Sequence, residues 1–159
     1  LSQIELWDRI TQFQDGERSE ALWDGDQAAA LGHLSLIKDK ADCPTNPLSY
    51  SHLSINRASG KGHALIVQWI HENTSVSASP GAMDAAAAGG HLQILKYLHE
   101  HRPEGGCTKY AMNQAAAGGH LDVVKWLHDN RSEGCTEKAM DGAAERGHLE
   151  TLIWLHENI

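Results

Sequence analysis

Apolar and polar positions alternate at helical spacing over residues 121–130. Leu121, Val124 and Leu127 share one face, Val123 joins it through the i+4 step to Leu127, and Asp122 and Lys125 fall opposite. The spacing predicts an amphipathic helix. Upstream, residues 112–117 are short and alanine-rich. Alanine favours helix and lets neighbouring elements approach closely, so a second, compact helix is predicted there. Gly118-Gly119 separates the two, because glycine tolerates the left-handed turn that ends a helix. The unit is a helical hairpin.

The same unit recurs. Gly-His dipeptides stand at His33, His63, His91, His120 and His148, with steps of 30, 28, 29 and 28 residues. A period of this size is the mark of a stacked repeat array. The last three copies match best. They open on Ala82-Met83-Asp84, Ala111-Met112-Asn113 and Ala139-Met140-Asp141, and each turns at Gly-His-Leu. Thr108 and Thr136 stand where helix N-caps belong. No segment alternates with period two over several residues, and Phe13 is the single phenylalanine. The chain is therefore predicted to be all-α. One hairpin has too little apolar surface to fold alone, and stacking supplies a shared core.

The front of the chain is less regular. Over residues 1–16, Ser2 and Glu5 suggest a capping box, and Ile4, Trp7, Ile10 and Phe13 recur every three residues. An amphipathic helix covering the open end of the stack is expected there, with partner binding as the alternative role. About five units follow, over residues 17–47, 48–78, 79–106, 107–134 and 135–159, the first degenerate and the last truncated. Residues 39–47, with Pro44, Asn46 and Pro47, read as an irregular loop. Ile55 then takes the methionine position and Trp69 the aromatic one.

Gly119-His120-Leu121-Asp122-Val123-Val124-Lys125, preceded by a short alanine helix, resembles the second-helix opening of the ankyrin repeat. The resemblance is good over residues 50–159 and poor over 18–49. An ankyrin unit has about 33 residues, whereas these units are shorter. The difference lies between units, where the family places a β-turn finger and this chain has the short Arg131-Ser132-Glu133-Gly134-Cys135-Thr136. The family's Thr-Pro-Leu-His is replaced by Ala-Met-Asp or Ala-Met-Asn. The resemblance implies an α-solenoid of ankyrin-like helix-turn-helix repeats with reduced or absent β-hairpin fingers.

Charge narrows the function. The chain has 13 basic and 21 acidic residues, a net charge of −8. Phosphate binding needs basic stripes, so nucleic acid is not an expected partner. No apolar run approaches the ~20 residues of a membrane span. Cys107 and Cys135 occupy equivalent linker positions. Stacked helices lie about 8–10 Å apart, too far for a disulfide, so these two and Cys43 are expected to be free thiols. That points to a reducing, cytoplasmic or nuclear compartment, although a secretion signal could precede the chain. Leu1 opens the chain without methionine and Ile159 stops it where other copies run on. A piece of a longer array is expected, with an uncovered apolar face on its last helix.

Eleven histidines invite a metal or catalytic role. Five follow the turn glycine, and His71, His99, His128 and His156 lie eight residues further on. Eight residues of helix span about 12 Å, too far for one metal ion with ligand bonds near ~2 Å. His71-Glu72, His99-Glu100 and His156-Glu157 lack the second histidine of a zincin; Ser75 and Pro103 stand where it would fall in the first two. Hydrogen bonding at turns and helix ends is the expected role, with a metal site between neighbouring units as the alternative. Trp69, Tyr97, Trp126 and Trp154 share one repeat position and read as packing between second helices rather than a ligand-stacking strip. The Gly-Gly-His turns follow helices and lack the lysine and hydroxyl of a P-loop. No nucleophile with a base emerges. No catalysis, cofactor or metal is expected.

The variable positions carry the functional expectation. Ala28, Ala58, Ala86, Ala115 and Ala143 are constant, five residues before each histidine. Beside them the residues change from unit to unit. In the ankyrin family the concave surface uses the start and end of the first helix, which implies partner contact at Lys61, Lys109, Tyr110, Glu137, Lys138, Glu145 and Arg146. Drift on a solvated face is the alternative for any one of them. The expected function is a monomeric, non-catalytic module binding a protein partner on its concave face. The alternative is a targeting or regulatory arm of a larger protein whose catalytic domain lies elsewhere.

Overall fold

The computed structural model describes residues 24–41, 48–101 and 106–159. The helix expected over residues 1–16 lies outside them. Within them the backbone forms ten α-helices and no strand. They pair as hairpins: α1 (Gly25–Leu31) with α2 (Leu34–Ala41), α3 (His52–Gly60) with α4 (Ala64–Asn73), and α5 (Pro80–Ala88) with α6 (Leu92–His101). They continue as α7 (Lys109–Ala117) with α8 (Leu121–Asn130), and α9 (Glu137–Glu145) with α10 (Leu149–Asn158). First helices stack on first helices and second on second, which makes an α-solenoid. The linker between α8 and α9 has no strand, so no β-finger projects there.

Local chemistry explains the boundaries. Thr108 and Thr136 accept hydrogen bonds from the N–H groups of Tyr110 and Lys138, at 3.1 and 3.3 Å. Ser51 does the same for Leu53, and Ser54 completes a capping box by accepting from the Ser51 N–H. Pro80 opens α5, where its missing N–H costs nothing. At every turn the glycine before the histidine is left-handed, with φ between 73° and 81°. The histidine N–H then donates to the carbonyl of the constant alanine five residues earlier, at 2.8–3.1 Å. One difference from expectation is that α2 runs through Asp39 to Ala41, where a loop was predicted to begin. Lys38 and Lys40 in its last turn favour the helical C-terminus.

The core is a column. Ala28, Ala58, Ala86, Ala115 and Ala143 are fully buried, against Ile37, Val67, Leu95, Val124 and Leu155 of the second helices. Each fully buried aliphatic side chain contributes about 1.5–3 kcal/mol. First helices meet through small residues. A Cβ on Gly60 would lie 3.3 Å from that of Ala85, and one on Gly142 2.7 Å from that of Ala117.

Three joints tie successive hairpins, the third of them only from the second hairpin on. The acidic or amide residue seven before the turn histidine reaches the cap residue of the following first helix. Asp84 accepts from both the N–H and the hydroxyl of Thr108, each at 2.8 Å. Asn113 accepts from the Thr136 N–H at 3.0 Å and donates to its hydroxyl at 2.9 Å. Asn56 accepts from Ser79, and Asp26 from Ser51 and Ser54. Next, each turn histidine lays its ring on the turn glycine one unit back: His63 on Gly32, His91 on Gly62, His120 on Gly90 and His148 on Gly119. Last, the histidine eight residues further on meets the aromatic ring of the following unit. His99 packs edge-on to Trp126 at 5.2 Å and His128 to Trp154 at 5.3 Å between centroids. His71 packs likewise on Tyr97 and shares a 3.0 Å hydrogen bond with its hydroxyl.

The turn histidines therefore depart from expectation. His63, His120 and His148 make no side-chain capping bond. Their backbone caps the second helix while the ring packs between units. Tyr97, Trp126 and Trp154 of the aromatic ladder do pack between second helices, with histidine as their counterpart, whereas Trp69 packs on Tyr50.

Candidate functional site

The seven variable residues occupy the two ends of the first helices. Lys109 and Tyr110 open α7, and Glu137 and Lys138 open α9. Lys61 and Arg146 are the C-caps of α3 and α9, and Glu145 is the last residue of α9. All seven are exposed, Tyr110 by 56%. A nine-residue helix is about 13 Å long, so the residues form two rows that far apart. One row runs through Lys109, Tyr110, Glu137 and Lys138, and the other through Lys61, Glu145 and Arg146. Arg146 is partly engaged, since its guanidinium donates to the Ala117 carbonyl at the end of α7, at 3.4 Å.

Position in the repeat explains the exposure. The first two residues of α3, α7 and α9 precede the face that meets the second helix, and all six are exposed. The constant alanines fill that face. Leu53 shares the register of Tyr110 and Lys138, and is 40% exposed. Sequence reasoning missed it, because a leucine near a helix start reads as core. It also missed the row Asp26, Asn56, Asp84, Asn113 and Asp141. The signal was there, an acid or amide at a constant distance before each histidine, but read within one unit it looked like ordinary surface polarity.

Electrostatics around the array are local. Burial opposes ionisation of Asp26, but hydrogen bonds from Ser51 and Ser54 and the charge of Arg57 outweigh it and hold the carboxyl below its usual value. In the linker, Arg131 pairs with Glu133 at 2.5 Å, and that bond chiefly keeps the glutamate ionised. Cys107 is buried nearby, and burial pushes its thiol up to about 11. Cys107 and Cys135 are both free. Among the described residues no three His, Cys, Asp or Glu side chains converge as metal ligands. No described helix is long and apolar enough to cross a membrane.

A family model described as ankyrin repeats in many copies matches residues 83–128 and, overlapping, 109–156. Over residues 83–156 the chain carries ankyrin repeats. The two matches run from within α5 to the last turn of α10, the stretch where the Gly-His units are most alike. No curated protein matches the chain. Ankyrin repeats are in general protein–protein interaction modules, and these have the usual division of labour, with a buried framework and exposed, changing first-helix ends. The hairpins α3–α4 and α1–α2 lie outside the matched residues but keep the Gly-His turn and the histidine seat on the turn glycine.

Proposed function

We propose that this ankyrin array binds a protein partner along the exposed ends of its first helices, without catalysis of its own. The observation that carries this reading is the contrast between constant, buried alanines and changing, exposed residues on the same helices. Lys61, Lys109, Lys138 and Arg146 give the two rows four cations, against the two anions Glu137 and Glu145. That local balance opposes the chain's net −8. It favours a partner segment rich in acidic side chains, with Tyr110 and Leu53 offering apolar anchors.

The test places a photo-crosslinking residue at Tyr110 in one variant and at Lys125, on a second helix, in another. The same partner should crosslink from Tyr110 and not from Lys125. Charge reversal at Lys109, Glu137 and Arg146 should weaken that partner's affinity. Unchanged binding in all three reversals would remove this face from the function.

A further inference from the structure

Every joint between successive hairpins is directional. The leading unit gives an acid or amide, a bare turn glycine and a second-helix histidine. The following unit answers with a Ser or Thr cap, an imidazole and, after the second, third and fourth hairpins, an aromatic ring on that histidine.

The fifth hairpin carries the leading half of all three, and nothing described here answers it. Asp141 has no hydrogen bond among the described residues, whereas Asp26, Asn56, Asp84 and Asn113 are all engaged. A Cβ on Gly147 would meet nothing within 4 Å, whereas one on Gly32, Gly62, Gly90 or Gly119 would strike a ring. His156 meets no ring among the described residues, unlike His71, His99 and His128. The apolar positions agree. Met140 is 40% exposed, against 3% for Met112 and 1% for Met83. Ala144 is exposed where Ala29, Ala87 and Ala116 are buried. Leu149 is exposed where Leu34, Leu92 and Leu121 are half-buried.

We propose that the face formed by Met140, Asp141, Ala144, Gly147, Leu149 and His156 docks one further helical hairpin of this repeat class. That hairpin presents a Ser or Thr cap to Asp141, an imidazole to Gly147 and an aromatic ring to His156. The face continues an interface built four times among the described hairpins, three times with all three joints, and the complement follows from these. A second copy of the chain is a poor match. Its leading hairpin has His33, but its first helix is capped by Asp24, a carboxylate that offers Asp141 no hydroxyl, and Asp39 stands at the aromatic register. This proposal is independent of the first-helix ends and of any partner bound there.

The test extends the chain after Asn158 with a copy of residues 131–159. The added threonine, histidine and tryptophan then follow Asp141, Gly147 and His156 at the spacing found between the fourth and fifth hairpins. Peroxide oxidation of Met140 is followed by mass spectrometry, and amide exchange is followed in α9 and in the extension. Met140 should slow toward the rates of Met83 and Met112, and the extension should gain protection. A matched extension with those three residues changed to alanine should give neither. Equal protection by both extensions would show unspecific apolar cover and overturn the proposal. So would an intact extension that stays unprotected. In the unextended chain, protection of Met140 that grows with concentration and accompanies a doubled mass would assign the face to a second copy instead, and also overturn it.

Discussion

The imidazole of His120 rests on the Cα of Gly90, one unit earlier in the stack. A Cβ on Gly90 would stand 2.5 Å from the ring's Nδ1, and the residue has φ +74°. Gly147 has the same backbone, with φ +76°, and open space above it. The two glycines separate backbone strain from ring packing. Gly147→Ala should cost ~1–2 kcal/mol from the left-handed conformation. Gly90→Ala should cost about 1–3 kcal/mol more, because the ring must also move. Urea titrations of both variants check this. Equal losses would mean that the histidine seat contributes nothing.

Thr136 both caps α9 and completes the joint with Asn113. Thr136→Val keeps the shape and removes both roles, with an expected loss of about 1–3 kcal/mol. Thr136→Ser should restore most of it, since Ser51 and Ser79 serve at the same position. Amide exchange should report the damage at α9 before α5.

Asp26 ionises at lower pH in the folded chain than in the unfolded one. Its contribution to stability is therefore full above the usual carboxylate value near ~3.9. It is lost as pH falls through the lowered folded value. Asp26→Asn should remove that acid-sensitive part while folding well at neutral pH, since Asn113 makes the equivalent joint. Stability of the two proteins against pH, below about pH 4, provides the comparison. Parallel curves would contradict the lowered value.

Cys107 should resist alkylation. It is buried, and burial first, then the Glu133 carboxylate, raises its thiol to about 11. Cys135 is half-buried and should react sooner at pH 8. An iodoacetamide time course with peptide mapping distinguishes them, and in denaturant the gap should close. Equal rates in the folded protein would argue against this burial.

The hairpin, its turn and its caps were legible because their causes are local. Thr108 lies next to the N–H it satisfies, and Gly119 bends the chain at its own position. The roles of His120 and Asp84 were not legible, because their partners lie a whole unit away, at Gly90 and Thr108. A fixed period says that units stack, but not which atoms meet when they do. His120 read as a hydrogen-bonding residue because its chemistry allows that, whereas the seat on Gly90 uses only its shape. The exposure of Tyr110 and Lys138 followed from helix register alone. Leu53 did not, because hydrophobicity and exposure disagree there.

The contrast between glycine–alanine contacts on one side of each hairpin and histidine–aromatic contacts on the other has a geometric consequence. First helices touch through little more than Cβ atoms, as Gly142 and Ala117 do, while whole rings separate the second helices. Each unit is thus a wedge, thin on one side and thick on the other, and stacked wedges bend into an arc. Curvature is then set by side-chain size. A bulky residue at Ala117 would open the arc, and so would a smaller one at Trp154, since each lessens the difference between the two sides. The rings that join neighbouring units thus also decide how closely the ends of successive first helices are drawn together.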